Sequence, residues 1–306
     1  MNSPSLVDTS PRPLGSLPPV SAFGFGCWRF LPHLVPDPEG LLSSALDCGI
    51  NLIDTADVYG YDWGGSGFGE AELHLGRVFA QSPSLREKFI LCGKSGIRPG
   101  TPYDSSRDYL RQAIDASLRR LHTDHLDLFM VHRPDFFTHP ADLAASLLEF
   151  RNRGLIREAG VSNFLPSQVA ALQTYLPFPL VAVQPQFSAH HLAPLHDGQL
   201  DICQRLNLRP LAWSPLDGGR LGDGATALPG GPSQQLLDTL DRLALREGLS
   251  RSALALAFVL AHPSRPVALL GSTRPARLQE AVSASRARLD RADLYAMVTA
   301  SGMDLP

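Results

Sequence analysis

The sequence predicts a (β/α)8 barrel, because eight short apolar segments alternate with segments of helical periodicity over most of its 306 residues. Strands that alternate with helices favour a parallel sheet, and eight such units favour closure of that sheet into a barrel. A chain of this length suits one such barrel. The predicted strands cover residues 23–28, 51–55, 89–93, 126–131, 158–162, 180–184, 210–213 and 267–271.

Local signals predict helices between these strands. Asp37 followed by Pro38 is typical of a helix N-cap and a first helical residue, and Gly49 is typical of the position after a helix end. Apolar residues recur at helical spacing over residues 110–121 and 143–150. Helices are therefore expected after the first, third and fourth strands.

An open, doubly wound sheet is the structural alternative. That fold would require a glycine-rich nucleotide-binding turn and a helix directly after the first strand. Residues 24–29 read GFGCWR, which lacks the third glycine, and no helical pattern follows at once. We therefore expect a single barrel domain over residues 21–306. The five prolines of residues 1–20 predict a flexible leader in front of it.

The composition excludes several classes of function. With 27 basic and 30 acidic residues the net charge is −3, which argues against a surface that binds nucleic acid. The longest apolar run, residues 253–261, is too short to span a bilayer, and the first residues lack the features of a secretory signal. The four cysteines are scattered without metal-ligand spacing. We expect a cytoplasmic protein that binds no nucleic acid, membrane or metal.

Four proton-handling side chains lie at the ends of three successive predicted strands. Asp54 and Tyr59 follow the second strand, Lys94 follows the third, and a histidine, His132, follows the fourth. Each residue alone has an ordinary structural interpretation, as a helix cap, a half-buried aromatic, a solvated cation or a core imidazole. A barrel directs these strand ends to one mouth, so four such residues at equivalent positions favour a shared site.

These residue types suit proton transfer to a carbonyl oxygen while hydride reaches its carbon. The phenol of Tyr59 has an ordinary pKa of about 10, and a neighbouring ammonium group is expected to lower it. Lys94 would supply that ammonium, and Asp54 would hold it in a partly dry site. Lys94 is one of only two lysines in a chain with 25 arginines, and the larger guanidinium of an arginine would not replace its compact ammonium beside Asp54.

The sequence resembles the aldo-keto reductase family at motifs that follow the family's order across residues 20–300. They are NLIDTADVYG at 51–60, GK at 93–94, LDL and VH within 126–132, GVSNF at 160–164, WSPL at 213–216 and GST at 271–273. HRPD at 132–135 and the final GMDLP resemble a bacterial subgroup of uncharacterised cytoplasmic oxidoreductases. The resemblance implies a TIM barrel that reduces aldehydes or ketones with NADPH. It also implies that Tyr59 is the general acid, that Lys94 and Asp54 tune it, and that His132 orients the substrate.

The cofactor is expected to be NADPH or NADP+, with NADH less favoured, and its nicotinamide is expected at the fifth to seventh strand ends. Ser162 and Asn163 end the fifth strand and Gln184 the sixth, and their hydroxyl and amide groups suit a carboxamide. As an alternative, these residues cap helices or turns, since Ser162 and Asn163 are good N-cap types. Trp213 ends the seventh strand, where the family more often has Tyr. Its ring could stack on the nicotinamide or simply pack in the barrel mouth.

The loops after the seventh and eighth strands are expected to bind the cofactor's phosphates. Small residues after the seventh strand would let backbone N–H groups approach a pyrophosphate, and Arg220 could close over it. Ser272, Arg274 and Arg277 suggest the 2′-phosphate of NADPH, although the abundance of arginine is an alternative explanation for the two arginines. Glu280 matches the family's adenine contact, but Ala281 stands where the family commonly has Asn. The remaining predicted contacts are Ser214, Pro215, Leu216, Gly218, Gly271 and Thr273.

The substrate, a small carbonyl compound, is expected between Trp28 and an aromatic, glycine-rich loop over residues 61–69. We expect Trp63 of that loop to line the pocket, with Phe68 as the alternative. A second glycine-rich stretch, residues 220–232, either folds over the cofactor or forms a mobile surface loop, and the surface loop is favoured. The oligomeric state stays open, and a monomer is compatible with the sequence.

Three other functions remain open at this point. Oxidation of a sugar or alcohol by NAD(P)+ would use the same residues in reverse. A cofactor-sensing binding module would hold NADPH with little turnover, and the complete proton-handling set speaks against it. A Schiff-base aldolase would need Lys94 in a pocket without a tyrosine partner.

Overall fold

In the computed structural model, which describes residues 5–61 and 64–305, eight parallel strands close into a barrel. Their order around the barrel follows the chain, and the last strand pairs with the first where Ala268 lies opposite Phe23. The predicted (β/α)8 fold is confirmed. The strands are β1 Arg12–Leu14, β2 Leu17–Val20, β3 Phe23–Gly26, β4 Leu52–Asp54, β5 Ile90–Ser95, β6 Ile97–Arg98, β7 Thr101–Tyr103, β8 Leu126–Val131, β9 Ile156–Ser162, β10 Ala182–Gln184, β11 Arg209–Ala212 and β12 Val267–Leu270.

The barrel consists of β3, β4, β5 and β8 to β12, and each of these strands overlaps one predicted strand. The first differs at its end, because β3 stops at Gly26 and the chain turns through a 3-10 helix at Cys27–Arg29. Two short hairpins, β1–β2 and β6–β7, lie outside the barrel sheet. The carboxyl ends of all barrel strands therefore meet at one mouth.

The helices alternate with the barrel strands and carry the predicted end signals. The Asp37 side chain accepts a hydrogen bond from Gly40 N at 3.0 Å, and Gly49 adopts a φ of +76° just after the helix. They are α1 Pro38–Asp47, α2 Glu70–Gln81, α3 Pro83–Arg86, α4 Arg107–Leu121, α5 Pro140–Asn152, α6 Pro166–Tyr175, α7 Gln199–Leu206, α8 Gln234–Glu247, α9 Arg251–Leu260, α10 Pro275–Val282 and α11 Arg291–Ala300.

The hydrophobic core has two layers, as a closed barrel requires. One fills the barrel interior, where Leu52, Leu128 and Leu211 are buried together. The other lies between the outer faces of the strands and the helices, and contains residues such as Phe129 and Phe150, whose rings meet edge to face at 5.9 Å. No helix in the described ranges is long and apolar enough to cross a membrane.

Within the predicted leader, residues 12–20 are ordered where the sequence predicts flexibility. Residues 12–20 form the β1–β2 hairpin, and Leu14 is fully buried in the same cluster as the barrel-interior leucines. The hairpin turns at Gly15, which has a φ of +56°. Beside it, Ser16 donates from its backbone N and its hydroxyl to one Glu158 oxygen, each at 2.7 Å. The hairpin therefore closes the amino-terminal end of the barrel, opposite the mouth.

A buried guanidinium ties this hairpin to the barrel. The Arg12 side chain is fully buried, pairs with Asp8 at 3.1 Å and donates to the Pro266 carbonyl at 3.3 Å. A charge withdrawn from water in this way needs partners on every side, and the leader itself supplies several of them. These contacts join the leader to the segment that enters β12.

We predict that Leu14→Ala lowers the free energy of unfolding by roughly 3 kcal/mol, because it opens a cavity in the barrel interior. Denaturant titration measures the loss. Leu245→Ala is the matched control, since Leu245 is 85 % exposed on α8. Equal stabilities for the two variants would contradict the burial of Leu14 among the barrel-interior leucines.

Candidate active site

The carboxyl ends of the barrel strands open into one elongated cavity of 830 Å³. It runs from the ends of β4 and β8, past β9 to β11, to the amino-terminal end of α10. The four proton-handling residues of the sequence converge near one end of this cavity. Asp54, Tyr59 and His132 line it directly, and Lys94 lies behind them.

Asp54 and Lys94 form a buried ion pair. Lys94 Nζ lies 2.7 Å from Asp54 Oδ2 and 2.7 Å from the Thr55 carbonyl oxygen. Gln184 donates from Nε2 to Asp54 Oδ1 at 2.7 Å, so both carboxylate oxygens are engaged. Strand register brings the pair together, because Asp54 lies opposite Cys92 in β5 and Lys94 follows two residues later.

Tyr59 and His132 complete the group in front of the ion pair. Lys94 Nζ lies 5.1 Å from the centroid of the Tyr59 ring. The rings of Tyr59 and His132 meet edge to face, with centroids 5.9 Å apart. The tyrosine sits in the turn that follows β4, where its backbone N donates to the Ala56 carbonyl at 3.2 Å. The predicted catalytic residues therefore form a single cluster.

The electrostatics keep each of these groups in one protonation state. Burial acts to lower the pKa of Lys94, but the charge of Asp54 raises it above its usual value, so the ammonium stays charged. Burial, and then the charges of Lys94 and Arg133, lower the pKa of His132 well below its usual value, so the imidazole is neutral.

Lys94 acts to lower the pKa of Tyr59, as the sequence predicts, but the net pKa still lies above its usual value. Burial raises the pKa of the phenol, and the nearby ammonium opposes that rise without cancelling it. The phenol consequently keeps its proton at neutral pH, which is the form that a proton donor needs.

The geometry argues against the aldolase alternative. The Lys94 side chain is 0 % exposed and its ammonium is held by Asp54, with Tyr59 as a neighbour. A Schiff base requires a neutral amine that a carbonyl compound can reach. Lys94 is neither neutral nor accessible.

The middle of the cavity carries the predicted amide and hydroxyl groups. Asn163 Oδ1 accepts from Trp213 Nε1 at 3.0 Å, and Asn163 Nδ2 donates to Ser162 Oγ at 2.7 Å. Gln184 lies beside them, because its backbone carbonyl accepts from the Ser162 hydroxyl at 3.2 Å and from the Asn163 backbone N at 3.0 Å. The helix-cap alternative for Ser162 and Asn163 is wrong, because α6 begins later and has Leu165 as its N-cap.

The loop after β11 forms a concave backbone cradle on the cavity. Ser214 and Asp217 have positive φ values of 48° and 52°, and Gly218 and Gly219 continue this conformation. Residues that carry a Cβ rarely adopt such backbone angles, so the two successive glycines allow the chain to make this turn with little strain. The cavity lining includes these predicted cofactor contacts: Ser162, Asn163, Gln184, Trp213, Ser214, Pro215, Leu216, Gly218, Gly271, Ser272, Thr273, Arg274, Arg277 and Glu280.

Arg220 does not line the cavity, contrary to the prediction that it closes over a pyrophosphate. It lies three residues after Asp217, and its guanidinium reaches back to that carboxylate at 2.9 Å and to the Gly230 carbonyl at 3.1 Å. The second oxygen of Asp217 lies 2.8 Å from His190 Nδ1. Arg220 and His190 therefore brace the cradle from outside.

The far end of the cavity meets the start of α10. That helix begins at Pro275, as the sequence predicts, and Arg274 is its N-cap residue. Ser272 Oγ accepts from the Arg274 backbone N at 3.2 Å, which shapes the approach to the helix. Arg277 lines the same end, so a helix terminus and two guanidinium groups surround this part of the cavity.

Part of the second glycine-rich stretch also lines the cavity, against the favoured interpretation as a surface loop. Residues 222–225 contribute to the wall. Asp223 anchors them, because it accepts from Arg251 N at 2.9 Å and from the Ser252 hydroxyl. Only the glycine content of the stretch signals this role in the sequence.

The substrate end agrees in part with prediction. Trp28 lines the cavity, together with Val58, Ile97 and Arg133, three residues that the sequence did not single out for the site. Trp63 lies outside the described residues. Arg133 is adjacent to His132, and the motif HRPD is the one signal that could have identified it.

Comparison with known proteins agrees with this geometry. The sequence profile of the aldo/keto reductase family matches residues 23–301. The chain is 44% identical over 290 residues to a 6-dehydroglucose reductase from Novosphingobium aromaticivorans, covering 94% of each chain. It is 34% identical to oxidoreductase YdhF from Escherichia coli, covering 94% of this chain and 96% of the relative.

The fold also matches a solved structure of this family. The crystal structure of Tm1743, a thermostable aldo-keto reductase in complex with the inhibitor epalrestat, superposes with a TM-score of 0.79. The two chains are 26% identical, and the match covers 95% of this chain and 99% of Tm1743. With the barrel, the Asp54–Lys94 pair and Tyr59 at its mouth, this chain belongs to the aldo/keto reductase family.

Proposed function

We propose that the protein reduces an aldehyde or ketone to an alcohol with a nicotinamide cofactor, and that Tyr59 donates the proton. The observation that carries this proposal is the phenol of Tyr59 held beside a buried, charged Lys94 at the cavity wall. A bound nicotinamide would supply hydride to the carbonyl carbon. The developing charge on the carbonyl oxygen would then be met by the phenol hydrogen.

Each residue of the cluster has a distinct task in this scheme. The phenol of Tyr59, whose pKa burial raises above its ordinary value, is protonated at neutral pH and gives its proton to the carbonyl oxygen as that oxygen becomes an alkoxide. Lys94 then stabilises the phenolate that is left. Asp54 keeps the ammonium in place. The neutral imidazole of His132 orients the carbonyl oxygen without adding a second positive charge.

Support for a dinucleotide comes from the chemistry along the cavity. The amide and hydroxyl groups of Ser162, Asn163 and Gln184 suit a nicotinamide carboxamide, and Trp213 offers a ring face next to them. At Gly218 and Gly219 no atom lies within 4 Å of the position that a Cβ would occupy, which leaves room for a pyrophosphate against the backbone. The residues therefore fit the group.

We further propose NADPH, with NADH less favoured, as the cofactor. Arg274, Arg277 and Ser272 surround the end of the cavity at the start of α10. Two guanidinium groups and a hydroxyl suit a phosphate dianion, whereas a free ribose hydroxyl would leave them without a matching charge.

The relatives suggest which carbonyl compound to test. The relative that is 44% identical over 94% of both chains is named a 6-dehydroglucose reductase. We therefore place sugar-derived aldehydes first among the candidate substrates.

We predict that Tyr59→Phe lowers kcat for aldehyde reduction by about a hundredfold or more, because the phenyl ring keeps the packing but has no proton to give. NADPH consumption with an activated aromatic aldehyde measures the rate, and fluorescence titration checks that cofactor affinity is unchanged. Tyr295→Phe, an exposed tyrosine of α11, serves as the control. Wild-type rates in Tyr59→Phe would refute the role of Tyr59 as proton donor.

We predict that Arg277→Ala raises KM for NADPH by about tenfold and leaves KM for NADH unchanged, because a charge-assisted bond to the 2′-phosphate is lost. The ratio of kcat/KM for the two cofactors is the measurement. Arg286→Ala, an exposed arginine in the 3-10 turn after α10, is the control. An unchanged ratio would show that Arg277 does not bind the 2′-phosphate, and would assign that contact to Ser272 and Arg274.

A further inference from the structure

Arg133 occupies the substrate end of the cavity and has no role in the scheme above. It follows His132 after β8, is half-buried and lines the cavity. Its guanidinium carbon lies 5.8 Å from the centroid of the Trp213 ring. Trp213 is itself held by its bond to Asn163, so the guanidinium lies within cation–π distance of a ring whose position is fixed.

The charge of Arg133 is not balanced by an acid in the part of the chain that the structure describes. It makes no ion pair with any described carboxylate. The carboxylate closest in sequence, Asp135, is already engaged by the Ser105 backbone N at 2.9 Å and the Thr138 hydroxyl at 2.7 Å. A half-buried guanidinium is costly to leave without acceptors, so this one is poised to receive them from a ligand.

The other walls at this end offer few competing polar groups. Trp28, Val58 and Ile97 line the same cavity with apolar or aromatic side chains, and the Arg29 guanidinium, which also lines it, lies 3.5 Å from the Gly218 carbonyl oxygen. Tyr59 and His132 face the reacting carbonyl in the proposed scheme. A substrate that extends away from its carbonyl therefore meets the forked N–H donors of Arg133.

We infer that Arg133 is a specificity-determining residue, which donates two hydrogen bonds to a pair of neighbouring oxygen atoms on the substrate beyond its carbonyl group. A planar guanidinium presents two parallel N–H groups that match such a pair, as a lysine ammonium does not. Vicinal hydroxyls and a carboxylate both provide this chemistry. The inference rests on the proposed reduction, and it names the class of carbonyl compound that this site prefers.

The test compares three aldehydes that differ at the far end: glyceraldehyde with vicinal hydroxyls, succinic semialdehyde with a carboxylate, and propanal with neither. We expect Arg133→Met to lower kcat/KM by at least about tenfold for one or both oxygenated aldehydes and to change propanal less than about twofold. Arg133→Lys keeps the charge without the fork. Arg133→Lys should therefore retain part of the activity toward succinic semialdehyde and lose the preference for glyceraldehyde. This difference shows whether the natural substrate carries a carboxylate or vicinal hydroxyls.

The control is Arg205→Met, which removes an exposed arginine of α7 and should change none of the three rates. Equal losses for all three aldehydes in Arg133→Met, or no loss for any, would overturn the inference. Equal losses would show that Arg133 affects the reacting carbonyl group or the stability of the fold, and does not contact the oxygen atoms at the far end of the substrate.

A binding measurement separates this inference from the proposed reduction. Tryptophan fluorescence follows titration of the three product alcohols, glycerol, 4-hydroxybutyrate and 1-propanol, into the protein with NADP+. Weaker binding of an oxygenated alcohol in Arg133→Met would support the role of Arg133 even if the wild type reduced no aldehyde. Rapid reduction of all three aldehydes with binding that is independent of Arg133 would support the reduction and reject the inference.

Discussion

The buried ion pair between Asp54 and Lys94 is the interaction on which the rest of the site depends. Two charges removed from water lose most of their hydration, and they are stable only where further hydrogen bonds replace it. Here Gln184 donates to the carboxylate and the Thr55 carbonyl accepts from the ammonium, each at 2.7 Å. These groups come from β4, β5 and β10, so the site forms only when the barrel closes in this register. The ammonium is then held 5.1 Å from the ring of Tyr59.

The barrel is predictable from local sequence, and the hairpin that closes its base is not. The helix cap at Asp37 and the helix end at Gly49 depend on residues that are neighbours along the chain, so the local sequence alone indicates them. The order of the leader depends instead on distant contacts, such as Ser16 with Glu158, 142 residues away. Its prolines suggest flexibility, yet proline is also compatible with short strands at the edge of a sheet, as in β1 and β2.

The site is predictable to the extent that strand ends determine it. Parallel strands bring Asp54 and Lys94 to one edge whatever the details of packing. Side-chain direction in loops is a different matter, because Arg220 turns away from the cavity to a local acid, Asp217. The effect of Lys94 on the pKa of Tyr59 has the expected sign, but burial outweighs it, and the depth of burial cannot be read from sequence. Strand alternation would place His132 and Arg133 on opposite faces, but β8 ends at Val131 and both residues line the cavity, which only the HRPD motif could have signalled in the sequence.

The central claim is that Tyr59 and the ammonium of Lys94 act as one proton-donating unit. A double-mutant cycle on kcat for aldehyde reduction tests it, with Tyr59→Phe, Lys94→Met and the double variant, each checked for cofactor binding and for a cooperative thermal transition above the assay temperature, because Lys94→Met leaves the Asp54 carboxylate unpaired. Groups that act as a unit are strongly non-additive, so the account predicts a double variant about as slow as the slower single variant. Multiplied losses in the double variant would contradict it, because they would mean that the two residues act independently.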